Sequence, residues 1–178
     1  MNGTTPIADN LDQPAQIKAG VAYTFAENYT VTADYKTIMW SSAKGYKEFG
    51  WKDQTVLAIG AKYAGQGYWL GLGYNSSDNP IGTYVNTGAP VSTPSGNTAG
   101  VVNMFNNLMF PATIQSSITM GGGYSISSAT DIDFAYVMSP EVTTKVDISD
   151  AAQSAPGSVS NTTTHKQQSF SVSMRFKF

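Results

Sequence analysis

Ser169-Phe170-Ser171-Val172-Ser173-Met174-Arg175-Phe176-Lys177-Phe178 states, in ten residues, the rule that most of this chain obeys. Phe170, Val172, Met174, Phe176 and Phe178 are apolar, and the residues between them are serine, arginine or lysine. A period of two gives a β-strand one oily face and one wet face. Working back toward the N-terminus, the same period recurs six times. Ile17, Ala19, Val21, Tyr23 and Phe25 oppose Lys18, Gly20, Ala22 and Thr24, and after Ala26-Glu27-Asn28 the pattern resumes in Tyr29, Val31, Ala33, Tyr35, Thr37 and Met39. Leu57, Ile59, Ala61 and Tyr63 lead through the glycine-rich turn Ala64-Gly65-Gln66-Gly67 into Tyr68, Leu70, Leu72 and Tyr74. Ile118, Met120, Gly122, Tyr124 and Ile126 precede the short connection Ser127-Ser128-Ala129, and Ile132, Phe134, Tyr136 and Met138 follow it. Past Pro140 the parity persists through Val142, Thr144, Val146 and Ile148, so this strand is expected to run long. The closing strand is expected to begin near His165.

The connections alternate in length. Residues 26–28, 65–67 and 127–129 are short, whereas 41–53, 76–115 and 150–164 read as long loops, and 1–13 reads as a polar N-terminal tether or loop. The longest loop carries an apolar run, residues 101–110, with the character of a short helix. Its Met104, Phe105, Leu108, Met109 and Phe110 are candidates either for a small core of the loop itself or for a surface that first meets an apolar ligand.

Composition narrows the classes. The 178 residues are 41% hydrophobic but only 12% charged, about half the usual charged share of roughly 25%. No apolar run approaches the ~18 residues of a membrane-spanning helix. A net charge of -2 with no basic tract argues against nucleic-acid binding. Cysteine is absent, which removes disulfide frameworks, thiolate catalysis and Cys-type zinc sites. His165 is the only histidine, no Gly-x-Ser-x-Gly motif accompanies it, and Asp131 and Asp133 share a face without a second ligand cluster; neither an enzyme nor a cofactor is expected. The opening Met1-Asn2-Gly3-Thr4-Thr5 lacks the basic and apolar regions of a secretory signal, so a removed signal or a longer parent is expected.

The fold class expected from these features is all-β: an antiparallel transmembrane β-barrel with residues 14–178 supplying about seven strands. Alternating short turns and long loops are the habit of outer-membrane barrels. Aromatic residues should then gather at strand ends, at the level of the membrane interface. Phe25, Tyr29, Tyr63, Tyr68, Tyr124 and Phe178 all flank short turns or the C-terminus, with Tyr74, Tyr136 and Met39 nearer the long loops. The opposite face collects Lys18, Asp34, Lys36, Lys62, Asp131, Asp133, Arg175 and Lys177, which lipid would not tolerate and which are therefore candidates to line a lumen. They would serve there as a structural charge network or set the polarity of a passage. Seven strands also leave a parity problem: the first and last run the same way, and open edges in lipid are forbidden. Missing strands from a parent chain or a second copy are therefore expected.

Four stretches resemble the FadL/TodX-type outer-membrane transporters of long-chain fatty acids and other hydrophobic compounds: Gln16-Ile17-Lys18-Ala19-Gly20-Val21-Ala22-Tyr23; Thr32-Ala33-Asp34-Tyr35 with Met39-Trp40; Trp51-Lys52-Asp53 with Ala58-Ile59-Gly60-Ala61-Lys62-Tyr63; and Phe110-Pro111-Ala112-Thr113-Ile114 with Gly121-Gly122-Gly123-Tyr124. The tail Thr164-His165-Lys166-Gln167-Gln168-Ser169-Phe170 is also similar. The resemblance implies the C-terminal half of a fourteen-stranded barrel in the bacterial outer membrane, without the family's N-terminal hatch. It implies as partners outer-membrane lipid and lipopolysaccharide, hydrophobic small molecules, and the barrel-assembly machinery, for which Phe178, with Phe176 and Met174, is the expected signal. The competing expectations are a structural or truncated barrel without transport and a soluble lipid-binding β-barrel.

Overall fold

The computed structural model describes residues 11–86, 93, 96–111 and 113–177. Seven strands form one antiparallel sheet in sequence order: β1 (Gln16–Phe25), β2 (Tyr29–Ile38), β3 (Gln54–Gly65), β4 (Tyr68–Ser77), β5 (Ser116–Ser127), β6 (Thr130–Asp147) and β7 (Ser160–Phe176). Every pairing preserves the period read from the sequence. Tyr23 faces Val31, Val31 faces Ala61, Ala61 faces Leu72, Leu72 faces Met120, and Met120 faces Tyr136, which faces Phe170. A slip of one residue anywhere would throw a strand's apolar set onto the polar side. The apolar set therefore forms one continuous surface across all seven strands.

The two faces are unequally shielded. On β4 the half-buried Trp69, Gly71, Gly73 and Asn75 alternate with the exposed Tyr68, Leu70, Leu72 and Tyr74. On β5 Ser117 and Gly123 are buried while Ile118, Met120 and Tyr124 are exposed. Side chains crowd on the concave side of a curved sheet and splay on its convex side, so the polar face is the inner one. The sheet does not close: β1 pairs only with β2 and β7 only with β6 among the described residues.

Two sequence expectations are corrected at the long-loop end. The closing strand begins at Ser160 rather than near His165, because Ser160–His165 pairs with Asp147–Val142; Thr143 and Thr164 meet at 3.2 Å between their hydroxyls. The loop between the two strands is thus residues 148–159 rather than 150–164, and β6 and β7 form a hairpin that stands above the rest of the sheet, offset by a bulge between Ser139 and Val142 beside Pro140. Proline cannot donate to the ladder, which places the irregularity there.

The 76–115 loop contains the expected helix, α1 (Ala99–Met109), which lies against β6 and β7. Its N-terminus receives a carboxylate from another loop: the Gly100 N–H donates to Asp150 Oδ2 at 3.0 Å. A Cβ on Gly100 would collide with that carboxylate, so only glycine admits the approach. The compact core lies in these loops, not in the sheet: Phe49, Trp51 and Val102 are buried with Trp40, Tyr46, Ile81, Tyr84, Phe105 and Phe110 packed around them. Of the 1–13 tether, only Leu11, Asp12 and Gln13 are described, and the Asp12 N–H donates to Lys44 O at 3.0 Å.

Candidate functional site

The expected charged residues do share the polar face, in two groups. Near the short turns, Arg175 reaches Asp131 at 3.8 Å and Asp133 at 3.3 Å, and Lys177 reaches Asp131 at 2.9 Å. Ser125 Oγ donates to Asp131 Oδ1 at 2.8 Å. Register explains the cluster: Asp131 is paired with Arg175, and Asp133 lies one alternate position away. Farther along, Lys18 pairs diagonally with Asp34 at 3.2 Å, while Lys36, directly opposite Lys18, has no ion pair among the described residues.

Trp69 joins the first group and was not singled out by sequence reasoning. Its Nε1–H donates to Asp133 Oδ1 at 2.9 Å, and Lys62 Nζ stands 5.1 Å from the indole centroid. The ring rests on glycines: a Cβ at Gly71 or Gly121 would lie 3.3 Å from it, and one at Gly123 would lie 2.2 Å from Nε1. The signal was present in the run of glycines opposite a tryptophan, but glycines alone do not say which ring fills the space they leave.

On the outer face the rings form a row beside the short turns. Centroids are separated by 5.5 Å for Phe25–Tyr29, 4.9 Å for Tyr29–Tyr63 and 5.8 Å for Tyr63–Tyr68, and Tyr68 is paired with Tyr124. Met174 and Phe176 continue the apolar parity on β7, and both are exposed. Phe178 lies outside the described residues.

A second site is built by the loops. A pocket of about 500 Å3 is lined by rings, Trp40, Tyr46, Trp51 and Phe110, together with Met109 and the polar Gln54, Asn79 and Thr113. Trp40 and Trp51 lie 5.0 Å apart at 61°, and Trp51 and Phe110 lie 4.9 Å apart at 80°. The apolar-run candidates divide here. Phe105 stacks on Phe49 at 4.4 Å and so belongs chiefly to the loop core; Met109 and Phe110 line the pocket; Leu108 is exposed, and Met104 is half-buried. Trp40, Tyr46 and Trp51 went unassigned in the sequence, although four rings within residues 40–51 were a signal of a folded loop.

Polar side chains hold this cap in place. Asn106 accepts the Trp51 indole N–H at 3.1 Å and donates to Phe49 O at 2.9 Å. Asn103 bonds the Tyr84 N–H and C=O, each at 2.9 Å, and Asp147 O at 3.1 Å; Asn107 donates to Asn161. Ser41 closes the 41–53 loop, its hydroxyl and N–H donating to Asp53 Oδ1 at 2.7 and 3.0 Å, and these bonds hold the Asp53 carboxyl below the usual carboxylate range. Bonds from the Ser149 hydroxyl and N–H do the same to Asp147. His165 lies within β7 opposite Val142, and its Nε2 is buried without a hydrogen bond among the described residues.

No protein-family model matches the chain, and no curated protein matches it by sequence. Solved structures do match in fold. The toluene transporter TodX of Pseudomonas putida aligns with a TM-score of 0.61 at 19% identity over 95% of this chain and 36% of its own. A TodX deltaS2 mutant, titled a monoaromatic hydrocarbon channel, aligns at 0.59 and 19% identity over 93% of this chain and 36% of its own. The Ralstonia pickettii toluene transporter TbuX aligns at 0.51 and 17% identity over 93% of this chain and 34% of its own. The seven-stranded sheet thus has the fold of part of these β-barrel transporters, and the chain spans about a third of their length.

Proposed function

We propose that this chain is part of a bacterial outer-membrane β-barrel that takes up hydrophobic compounds. The observation that carries the reading is the continuous apolar outer face. Val21 is 73% exposed, Leu72 63% and Phe170 66%, on strands from one edge of the sheet to the other. Water would penalise such a surface at about 25 cal/mol per Å2, and apolar patches this extended mark contact with lipid or protein. Its row of rings suits one membrane interface. The inner face, with Lys18, Asp34, Lys36, Lys62, Asp131, Asp133, Arg175 and Lys177, lines the lumen, where its ion pairs act first as a structural network.

In this reading the loops at 41–53, 76–115 and beyond Asp147 face outward toward lipopolysaccharide, and Met174, Phe176 and Phe178 present the assembly signal. Because β1 and β7 run in the same direction, antiparallel closure needs an odd number of further strands, which a longer parent would supply. A second copy in the same orientation would meet this one through parallel seams. The fold match to about a third of each transporter supports the first arrangement.

Reconstitution tests the reading. The chain should sediment with lipid vesicles and resist alkaline extraction, and a monodisperse species obtained without detergent would overturn the membrane assignment. Vesicles carrying the complete barrel should take up a labelled fatty acid or an aromatic hydrocarbon faster than empty ones. Membrane insertion with uptake equal to that of empty vesicles would instead establish a scaffold without transport.

A further inference from the structure

We infer that the outer face of the β6–β7 hairpin, above the apolar band, is a docking face for a phosphorylated glycolipid, with Lys166 and Lys145 each meeting a phosphate at a different height. The inference rests on the membrane reading above and names the lipid and the residues that hold it.

The bulge sets the boundary. Below it the outer positions of the two strands are apolar: Ile132 pairs with Met174, Phe134 with Val172 and Tyr136 with Phe170. Ser139 pairs with Gln167 but Val142 pairs with His165, so the bulge carries Val142, Thr144 and Val146 over to the inner side. Val146 is buried there, sharing a small pocket with Asn103 and Asn107 of α1. The outer side beyond the bulge is left to Thr143 and Lys145 on β6 and to Thr162, Thr164 and Lys166 on β7. From Phe176 to Gln168 β7 rises about 27 Å at ~3.4 Å per residue, close to the ~25 Å apolar band of a membrane barrel. The oily face ends where the lipid tails end.

Height selects the lipid. Along the strand Lys166 lies about 7 Å beyond Gln168, and Lys145, level with Thr162, lies about 20 Å beyond it. A phospholipid headgroup layer extends only about 5–8 Å past the hydrocarbon. Even on a strand tilted by ~45°, such a headgroup reaches Lys166 and falls short of Lys145. Sugars that carry phosphates outward from an acyl anchor reach both, and the threonine hydroxyls between the lysines suit sugar.

Charge commitment selects an anion. Asp147 shares this face, but its Oδ1 accepts the Ser149 N–H at 2.9 Å and its Oδ2 the Gly157 N–H at 3.0 Å, so both oxygens are engaged. Glu48 and Asp150, at the same end, are likewise held by the Gly45 and Gly100 N–H groups at 2.6 and 3.0 Å. Lys145 and Lys166 are exposed and form no ion pair among the described residues, not even with Glu141, which stands in the bulge opposite Lys166. The carboxylates here serve loop backbone, and the ammonium groups keep their donors for a partner.

The test is binding of fluorescently labelled lipopolysaccharide to the complete barrel in detergent, read by anisotropy. Lys145→Gln and Lys166→Gln should each weaken binding about fivefold, the worth of one basic residue at an anionic membrane surface. The double variant should lose more than either, and because both side chains are exposed the fold survives the changes. Lys47→Gln makes the same charge change at the same end on a lysine already paired with Glu48 at 3.8 Å, and should leave affinity unchanged. Unlabelled lipopolysaccharide should displace the probe, whereas its phosphate-stripped form, phosphatidylglycerol and inorganic phosphate should not. Displacement by any of those three as good as that by lipopolysaccharide, an equal loss in Lys47→Gln, or unchanged affinity in the double variant would overturn the inference. Binding that needs Mg2+ and is lost in Glu141→Gln but not in the lysine variants would overturn it too. Insertion into vesicles with lipopolysaccharide binding indifferent to both lysines would remove this docking face and leave the membrane reading standing. Lysine-dependent binding by a chain that does not enter lipid would do the reverse.

Discussion

Gly123 shows how little freedom a single position on the inner face has. A methyl group there would fall 2.2 Å from both Trp69 Nε1 and Asp133 Oδ1, on top of the hydrogen bond that joins them. Gly123→Ala is therefore expected to break that bond, red-shift the Trp69 emission as the indole leaves its cradle, and destabilise the sheet by about 1–3 kcal/mol, read by chemical denaturation in detergent. Asp53 gives a second prediction at this scale. Its folded-state carboxyl is held low by Ser41, so its contribution is fully present above the ordinary carboxylate value near about 3.9 and is lost as pH falls through the depressed one. The emission of Trp40 beside it should stay constant down to about pH 4 and shift below it, and Asp53→Asn should abolish that transition. The charged members of the inner face were legible as single residues because lipid excludes them. Trp69 was not, since its apolar bulk fits either face until the glycines beneath it are placed.

At the level of elements, α1 turns a buried face toward the cap that is half asparagine. Val102, Asn103 and Asn106 recur at helical spacing, and the asparagines replace hydrogen bonds that irregular loop backbone cannot make with itself. Asn106→Leu is expected to strand the Trp51 N–H and the Phe49 C=O. At about 1–3 kcal/mol for each unsatisfied group, protection of residues 46–51 against hydrogen exchange or proteolysis should fall while the strands keep theirs. The helix was readable in the apolar run at 101–110, and the structure extends it back to Ala99. Its partners were not readable, because Trp51, Tyr84 and Asp147 come from three separate segments. The early start of β7 was missed for a related reason. Asn161-Thr162-Thr163-Thr164 has loop-like composition and becomes a strand only because β6 continues past Pro140 to pair with it.

For the whole molecule, the decisive property is the asymmetry between the two faces of the sheet. On the membrane reading, Leu72→Arg, midway along β4 on the outer face, should cost about 2–4 kcal/mol in vesicles, whereas Ser171→Arg, on the inner-face parity of β7 opposite Ala135, should be tolerated within about 0.5 kcal/mol. Equal costs at the two positions, measured by denaturant unfolding in lipid, would contradict the assignment of faces. The sequence by itself determined the number of strands, their order of long and short connections, and which residues share a side, because a slip of one residue reverses a strand's faces and only registers of one parity align seven apolar sets. Tertiary structure alone decided how early β7 begins against the extension of β6, that Trp69 rests on the glycines of the inner face, and that rings distant in sequence enclose a pocket. Curvature and loop packing arise from contacts between segments, and no periodicity within a segment records them.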